Sequence, residues 1–367
     1  MKTNKLFYYF MLAISIVPFF SSCDDNNNFE DVKLSTGVYV LNAGKFGNNN
    51  STITYYDFST GFATTDVFAQ KNGRILGDTG EDIIQYGAKI YISVYGSGLI
   101  EVVDPTTLLT IKTISLKDSQ NNTLYPRSLN SANGKIYIVL YNGYVAQMDT
   151  TTYAIDKTIA VGPNPDRSVI ANNKLYVANT GGMAAVMDST VSVINLTTFS
   201  EEKKIVTNLN PSGDLISDSQ GDVYVSSLGD YYTNLGKFQR IEAGTGKVTN
   251  IDLKINGSSI IVRGMDVYND RAYIYSFDYD ENWQATNKAI TVYDLKNEKI
   301  ITENLISSTI EKTPYAIAVD PGNGDIYLGV TDYKTTGKVY CFNNKGTQRY
   351  TFGSGLNPAQ LLFVSGK

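Results

Sequence analysis

Residues 133–149 read NGKIYIVLYNGYVAQMD. A glycine turn leads into the apolar–Tyr–apolar unit IYI, and residues 136–140 form a strand-length apolar run. The unit recurs seven times: VYV at Tyr39, IYI at Tyr91, IYI at Tyr137, LYV at Tyr176, VYV at Tyr224, AYI at Tyr273 and IYL at Tyr327. The successive spacings are 52, 46, 39, 48, 49 and 54 residues. A repeat of about 40–50 residues with short strands is the length of one propeller blade.

Two further markers keep the same period. Asp57, Asp104, Asp149, Asn195, Glu242, Asp294 and Asn343 each end a strand and open a turn such as DFSTG, DPTTL or DTTTY. Side chains of this type accept hydrogen bonds from the next backbone N–H groups, so the regular placement assigns them to turn capping rather than to a metal array. Proline stands near the start of an earlier strand in YPRS, NPDR, NPSG, TPYA and NPAQ, where its missing N–H costs little. Blade 1 begins at GVYV and lacks an innermost strand, which NPAQLLFV (357–364) is expected to supply. Closure of that kind removes exposed sheet edges. The expected fold is all-β: a seven-bladed β-propeller with four-stranded blades over residues 37–367, closed by the C-terminal strand completing blade 1.

Composition narrows the chemistry. The 367 residues include 27 tyrosines, no histidine and two cysteines, Cys23 and Cys341. Triads that need histidine, His-ligated zinc and thiolate clusters are thereby excluded. The net charge is −5 and no basic stripe follows the first few residues, which argues against a nucleic-acid partner. A calcium-dependent lactonase or lyase would need acids converging on the axis. Only Glu81 and Asp166 are expected there, flanking Arg127, so no enzymatic activity, catalytic residue, metal or cofactor is expected.

The chain starts with Lys2 and Lys5, then a mostly apolar run from 6 to 20, then Ser21, Ser22 and Cys23. This pattern resembles a bacterial lipoprotein signal peptide over 1–22, with Cys23 as the lipidated residue. The polar segment 23–36, containing DDNNNFED, reads as a flexible tether. Its acidic start resembles the signal that places lipoproteins on the outer face of the outer membrane. The expected location is therefore the cell surface, with the membrane contacted through a lipid anchor.

The repeat tyrosines sit on strands that are apolar throughout, second from the axis, so they are scaffold residues with hydroxyls expected to bond across blade boundaries. The decoration lies elsewhere. From the repeat tyrosine to the capping residue the distances are 18, 13, 12, 19, 18, 21 and 16 residues, with the variation assigned to the loop between second and third strands. These loops share one face and carry Phe46, Tyr95, Tyr141, Tyr231, Tyr232, Tyr279, Trp283 and Tyr333. Exposed aromatics on the loops of a rigid scaffold point to binding. Counting back from each repeat tyrosine places Glu81, Arg127, Asp166, Ser212, Arg263, Tyr315 and Ala359 around the channel mouth, with Arg167 adjacent. Arginines and acids beside an aromatic collar suit a large, polar, amide- or phosphate-bearing ligand; ion pairs between blades are the competing reading.

The units VYVLNAG (38–44) and LYVANTGG (175–182) resemble the repeats of YVTN-type, YncE-like bacterial propellers. Together with the lipoprotein start, the chain is similar to surface-lipoprotein propellers such as the BtuG type. That resemblance implies binding of cobalamin (vitamin B12) or another corrinoid on one face and transfer to a TonB-dependent outer-membrane transporter. Cobalamin would be a transported ligand rather than a cofactor. A surface glycan- or other nutrient-binding propeller is the alternative, and a purely structural or adhesive surface protein is a third reading.

Overall fold

A computed structural model describes residues 34–182, 186–306 and 310–365. The expected signal peptide, Cys23 and nearly all of the tether lie outside the described residues. Seven four-stranded antiparallel sheets form the blades of a propeller. Their innermost strands are Pro358–Ser365, Gly80–Tyr86, Pro126–Ala132, Pro165–Ala171, Asp214–Ser217, Val262–Tyr268 and Thr313–Val319, for blades 1 to 7 in order. Each contacts the innermost strand of the next blade, and the ring closes from blade 7 to blade 1. Blade 1 takes its innermost strand from the C-terminus: Ser35–Asn42 pairs antiparallel with Pro358–Ser365. That first strand starts at Ser35, two residues before the expected boundary. Proline is the first residue of the innermost strand in blades 1, 3 and 4, as strand-edge chemistry requires.

The repeat unit builds the core. All seven repeat tyrosines lie on second strands and are at most 6 % exposed. They join the apolar clusters that weld neighbouring blades, for example Tyr91 with Ile136 and Ile138 of blade 3. Their hydroxyls meet the expectation in part. Tyr39 and Tyr224 donate to carbonyls of the next blade, at Pro105 (3.3 Å) and Leu295 (3.1 Å). Tyr327 instead bonds Tyr350 within its own blade. Tyr91 and Tyr137 have no hydroxyl partner. At these two boundaries the facing turn presents an aromatic ring, Tyr153 and Phe199, against the repeat tyrosine.

Those turns explain the second marker. The Asp or Asn side chain accepts from successive N–H groups: Asp57 from Ser59 and Thr60, Asp104 from Thr106 and Thr107, Asp149 from Thr151 and Thr152, Asn195 from Thr197 and Thr198. Each of the seven turns then places a residue in the left-handed region at its end: Gly61, Leu108, Tyr153, Phe199, Gly246, Glu298 and Gly346, with Gly244 a second one in blade 5. Where that residue is Leu108, Tyr153 or Phe199, its side chain packs into the boundary with the preceding blade.

Three features are additions to the repeat. A short helix, Val67–Asn72, links blades 1 and 2 and buries Val67 and Phe68 against them. A two-stranded hairpin, Lys254–Ile255 with Ser258–Ser259, lies between blades 5 and 6. The extra length of blade 6 is strand as well as loop. Its second and third strands, Arg271–Tyr279 and Ala285–Asp294, are the longest in the described chain and carry Tyr279 and Trp283 to the tip. The two strands stay paired out to Tyr279 and Ala285, so the backbone is satisfied by extending the ladder.

Candidate functional site

The residues reached by counting back converge. Glu81, Arg127, Asp166, Ser212, Arg263, Tyr315 and Ala359 all border one cavity of about 760 Å³ at the mouth of the ring. Arg167, Tyr231, Tyr232, Tyr279, Trp283 and Tyr333 border the same cavity. The other three expected residues, Phe46, Tyr95 and Tyr141, do not line it. They form an aromatic chain beside it: Phe46 to Tyr95 at 6.1 Å and Tyr95 to Tyr141 at 5.8 Å between ring centroids. Tyr125, which the sequence reading passed over, joins this chain 5.2 Å from Tyr95.

The mouth has two unlike halves. Across blades 2 to 4 an ion-paired cluster centres on Arg127. Arg127 donates to Asp166 Oδ1 through Nε (3.0 Å) and Nη2 (2.8 Å), and its Nη1 lies 3.6 Å from Glu81. Its guanidinium also sits over the Tyr95 and Tyr141 rings, 5.5 Å from each centroid, a favourable cation–π arrangement. Arg127 and Tyr141 thus spend much of their surface on each other. Burial opposes the charge of Asp166, yet Arg127 and Arg167 together hold its carboxyl below the ordinary range. At Glu81 burial wins over the same two arginines and pushes the carboxyl up.

Across blades 5 to 7 the half-ring is open and aromatic. Tyr232 and Trp283 are 87 % and 77 % exposed, so their rings are available to a ligand. Asp230 accepts from the N–H groups of Tyr232, Thr233 and Asn234. Asp332 accepts from Lys334 and Thr335, and Asp280 from Asn282 and Gln284. Within these capped loops Tyr231, Trp283 and Tyr333 hold φ of 66°, 58° and 60°. Bulky side chains in the left-handed region cost energy, and such strain concentrates at sites of function. Gly229 starts the blade 5 loop at φ 71°, where a Cβ would collide with the Asn234 carbonyl. In blade 6, Tyr273, Tyr275, Phe277 and Tyr279 alternate along one strand. Tyr275 and Phe277 lie parallel, 6.5 Å between centroids, and Tyr279 meets Phe277 edge-on at 5.2 Å. Trp283 continues the wall 5.7 Å from Tyr279.

More acids face the axis than the two expected. Asp214 borders the cavity, Asp82 is buried on the innermost strand of blade 2, and Asp266 is half-buried on that of blade 6. Counting back located one residue per blade, whereas these acids lie one to three residues further along their strands. Each carboxylate bridges to the next blade. Asp82 accepts from Leu129 N (2.7 Å), Asp214 from Met265 N (3.5 Å) and Asp266 from Val319 N (2.8 Å). Burial pushes Asp82 and Asp266 up to about 6, despite those N–H bonds. Among the described residues no group of three or more acids or cysteines is gathered to hold a metal ion.

Comparison with solved structures gives the fold. Hydrazine synthase of Kuenenia stuttgartiensis is 18 % identical with a TM-score of 0.55, over 70 % of this chain and 74 % of that one. The dihydro-heme d1 dehydrogenase NirN, solved in complex with DHE, is 14 % identical with a TM-score of 0.58, over 90 % and 67 %. The computationally designed Ika8 protein is 12 % identical with a TM-score of 0.56, over 91 % and 99 %. At these identities the likeness is one of architecture, carried by enzymes and a designed protein alike. No curated protein matches the sequence. Residues 36–363, nearly the whole propeller, match the family described as "Domain of unknown function (DUF5074)", and the chain belongs to that family.

Proposed function

We propose that this propeller is a ligand-capture protein that holds a large polar molecule with a flat apolar face over the mouth of the ring. A corrinoid such as cobalamin is the best-fitting class. The observation that carries this reading is the cavity of about 760 Å³ in which arginines and aromatic rings converge. Its size lies in the range of small-molecule sites, which are lined by apolar rings with a few placed polar groups. Rings such as Tyr279 and Trp283 would cover a macrocycle, and Arg263, Arg167 and Ser212 would reach peripheral amides. With no histidine in the chain, cobalt could not exchange its lower ligand for a protein imidazole, so capture would rest on shape and hydrogen bonding.

The lipoprotein-like start supports a role at the outer-membrane surface, with delivery to a TonB-dependent transporter. A second reading, a glycan-binding surface propeller, is favoured by the outward exposure of Trp283 and Tyr232, since aromatic platforms also take sugar rings. The test is direct. Purified protein is mixed with cyanocobalamin and passed through a desalting column. Co-elution of the red ligand with the protein is expected, and a colourless protein peak overturns the corrinoid reading.

A further inference from the structure

We propose that Arg263 is the anchor for an anionic group, a carboxylate or a phosphate, on the ligand that occupies the mouth. The inference rests on the ligand-capture reading above and adds the chemistry of one contact.

The case comes from comparing the three arginines of the cavity. Arg127 and Arg263 occupy corresponding mouth positions on blades 3 and 6, and both lie over two aromatic rings. Arg263 sits 5.0 Å from the Phe277 centroid and 5.6 Å from that of Tyr279. Their neighbours differ. The mouth residues beside Arg127 are Glu81 and Asp166, which take up its nitrogens. Those beside Arg263 are Ser212 and Tyr315, neither of them acidic. Arg263 makes one hydrogen bond, from Nε to the Phe277 carbonyl at 3.3 Å. Its two terminal nitrogens have no acceptor and no carboxylate partner among the described residues. Arg167 also lacks a direct partner, but Asp166, Asp214, Glu81 and Asp82 surround it and offset its charge.

A guanidinium lodged against two aromatic rings, with both terminal nitrogens unspent, can direct its donors to the oxygens of one carboxylate or phosphate. A second cavity of about 390 Å³ shares Arg263, Tyr231, Tyr279 and Trp283 with the first. Arg263 therefore stands where the two meet. The smaller cavity carries Asp278 and Asp280, which accept from Asn287 and from loop N–H groups. Those acids disfavour a second negative charge further out. The ligand class is thus one with a single anionic group at a junction: a flat or ring-bearing body on one side of it and a neutral or cationic extension on the other.

The experiment uses the purified full-length chain and three probes sharing one aromatic body: 1-naphthyl phosphate, 1-naphthoate and 1-naphthol. Calorimetric titration is expected to show at least one anionic probe binding about tenfold or more tightly than naphthol. Arg263→Gln should abolish that preference with an unchanged thermal melt, and Arg263→Lys should retain part of it. Trp283→Ala should weaken all three probes alike. Stronger phosphate than carboxylate binding, or the reverse, identifies which anion the site takes. Equal binding of all three probes, or a preference that survives in R263Q, overturns the anchor while leaving the ligand-capture reading intact. No binding of any probe overturns the anchor, and the cyanocobalamin column decides the ligand-capture reading by itself.

Discussion

Arg127 directs two nitrogens, Nε and Nη2, onto one oxygen of Asp166, at 3.0 and 2.8 Å. The pair ties blade 3 to blade 4 at the rim of the channel, with little solvent around either side chain. Removing one partner of such a pair leaves a poorly solvated charge behind. Asp166→Ala is expected to lower the unfolding free energy by about 3 kcal/mol in urea titrations. The double variant R127M/D166L should recover most of that loss. A single variant as stable as the parent would show that the pair holds nothing together.

The axis-facing acids predict an inverted pH profile. Asp82 and Asp266 sit at about 6 in the folded protein, above the ordinary carboxylate value. A raised carboxyl contributes stability that is complete below its unfolded pKa and is lost as pH rises through the folded one. Stability is therefore expected to rise between pH 7 and pH 5, by about 1 kcal/mol per group. Below about pH 4 it should fall again, as Asp166 and the turn-capping Asp57, all held low, take up protons. Urea midpoints at pH 5 and pH 8 measure the difference, and Asp82→Asn with Asp266→Asn should flatten it. A midpoint lower at pH 5 than at pH 8 in the parent protein would contradict the assignment.

The repeat tyrosines should divide under a single substitution to phenylalanine. Tyr137 buries a hydroxyl with no partner, so Tyr137→Phe is expected to stabilise by about 1 kcal/mol. Tyr224 donates to Leu295 across a blade boundary, so Tyr224→Phe should destabilise by about the same amount. Chemical denaturation of the two variants gives the comparison. Equal effects of the same sign would mean that the hydroxyl environments are not distinct.

Trp283 is the sole tryptophan, and it stands 77 % exposed on the rim. Acrylamide should quench its fluorescence efficiently in the free protein and poorly once the mouth is filled. Asp280 holds this loop by accepting from Asn282 and Gln284. Asp280→Ala is expected to weaken ligand binding about tenfold, or about 1.4 kcal/mol, with little change in the melt. Quenching that ligand leaves untouched would place Trp283 outside the site.

The blades were legible because their constraints are local and repeated. A tyrosine between two apolar residues and a turn-opening Asp, Asn or Glu recur in every blade, and a proline near the innermost strand in five of the seven. Register follows from alternation once one strand is fixed. The mouth was legible for the same reason: Arg127 and Arg263 stand at corresponding counts before Tyr137 and Tyr273. Tyr275 and Phe277 were missed although their signal was present, since residues 273, 275, 277 and 279 alternate with period two. Counting ended at the repeat unit instead of following the face outward. Asp82, Asp214 and Asp266 were missed because one count per blade samples one layer of the channel.

Side-chain partnerships were the least legible part. Nothing in the sequence distinguishes the hydroxyl of Tyr39, which finds a carbonyl, from that of Tyr137, which meets Phe199. The difference depends on which residue the neighbouring blade's turn places in the left-handed position, a contact across about 60 residues of chain. The contact of Arg127 with Tyr95 and Tyr141 was hidden in the same way.

The pairing of Ser35–Asn42 with Pro358–Ser365 also imposes an order of events on synthesis. The first strand of the propeller finds its neighbour only after every other blade has been made. A nascent chain can assemble blades 2 to 7 from contacts within each blade, but the circle cannot be latched until residues 358–365 have emerged. Sequence-distant closure of this sort is slow and leaves sheet edges open meanwhile. Deleting 358–365 should therefore yield a chain with six formed blades that aggregates through the bared flank of the first.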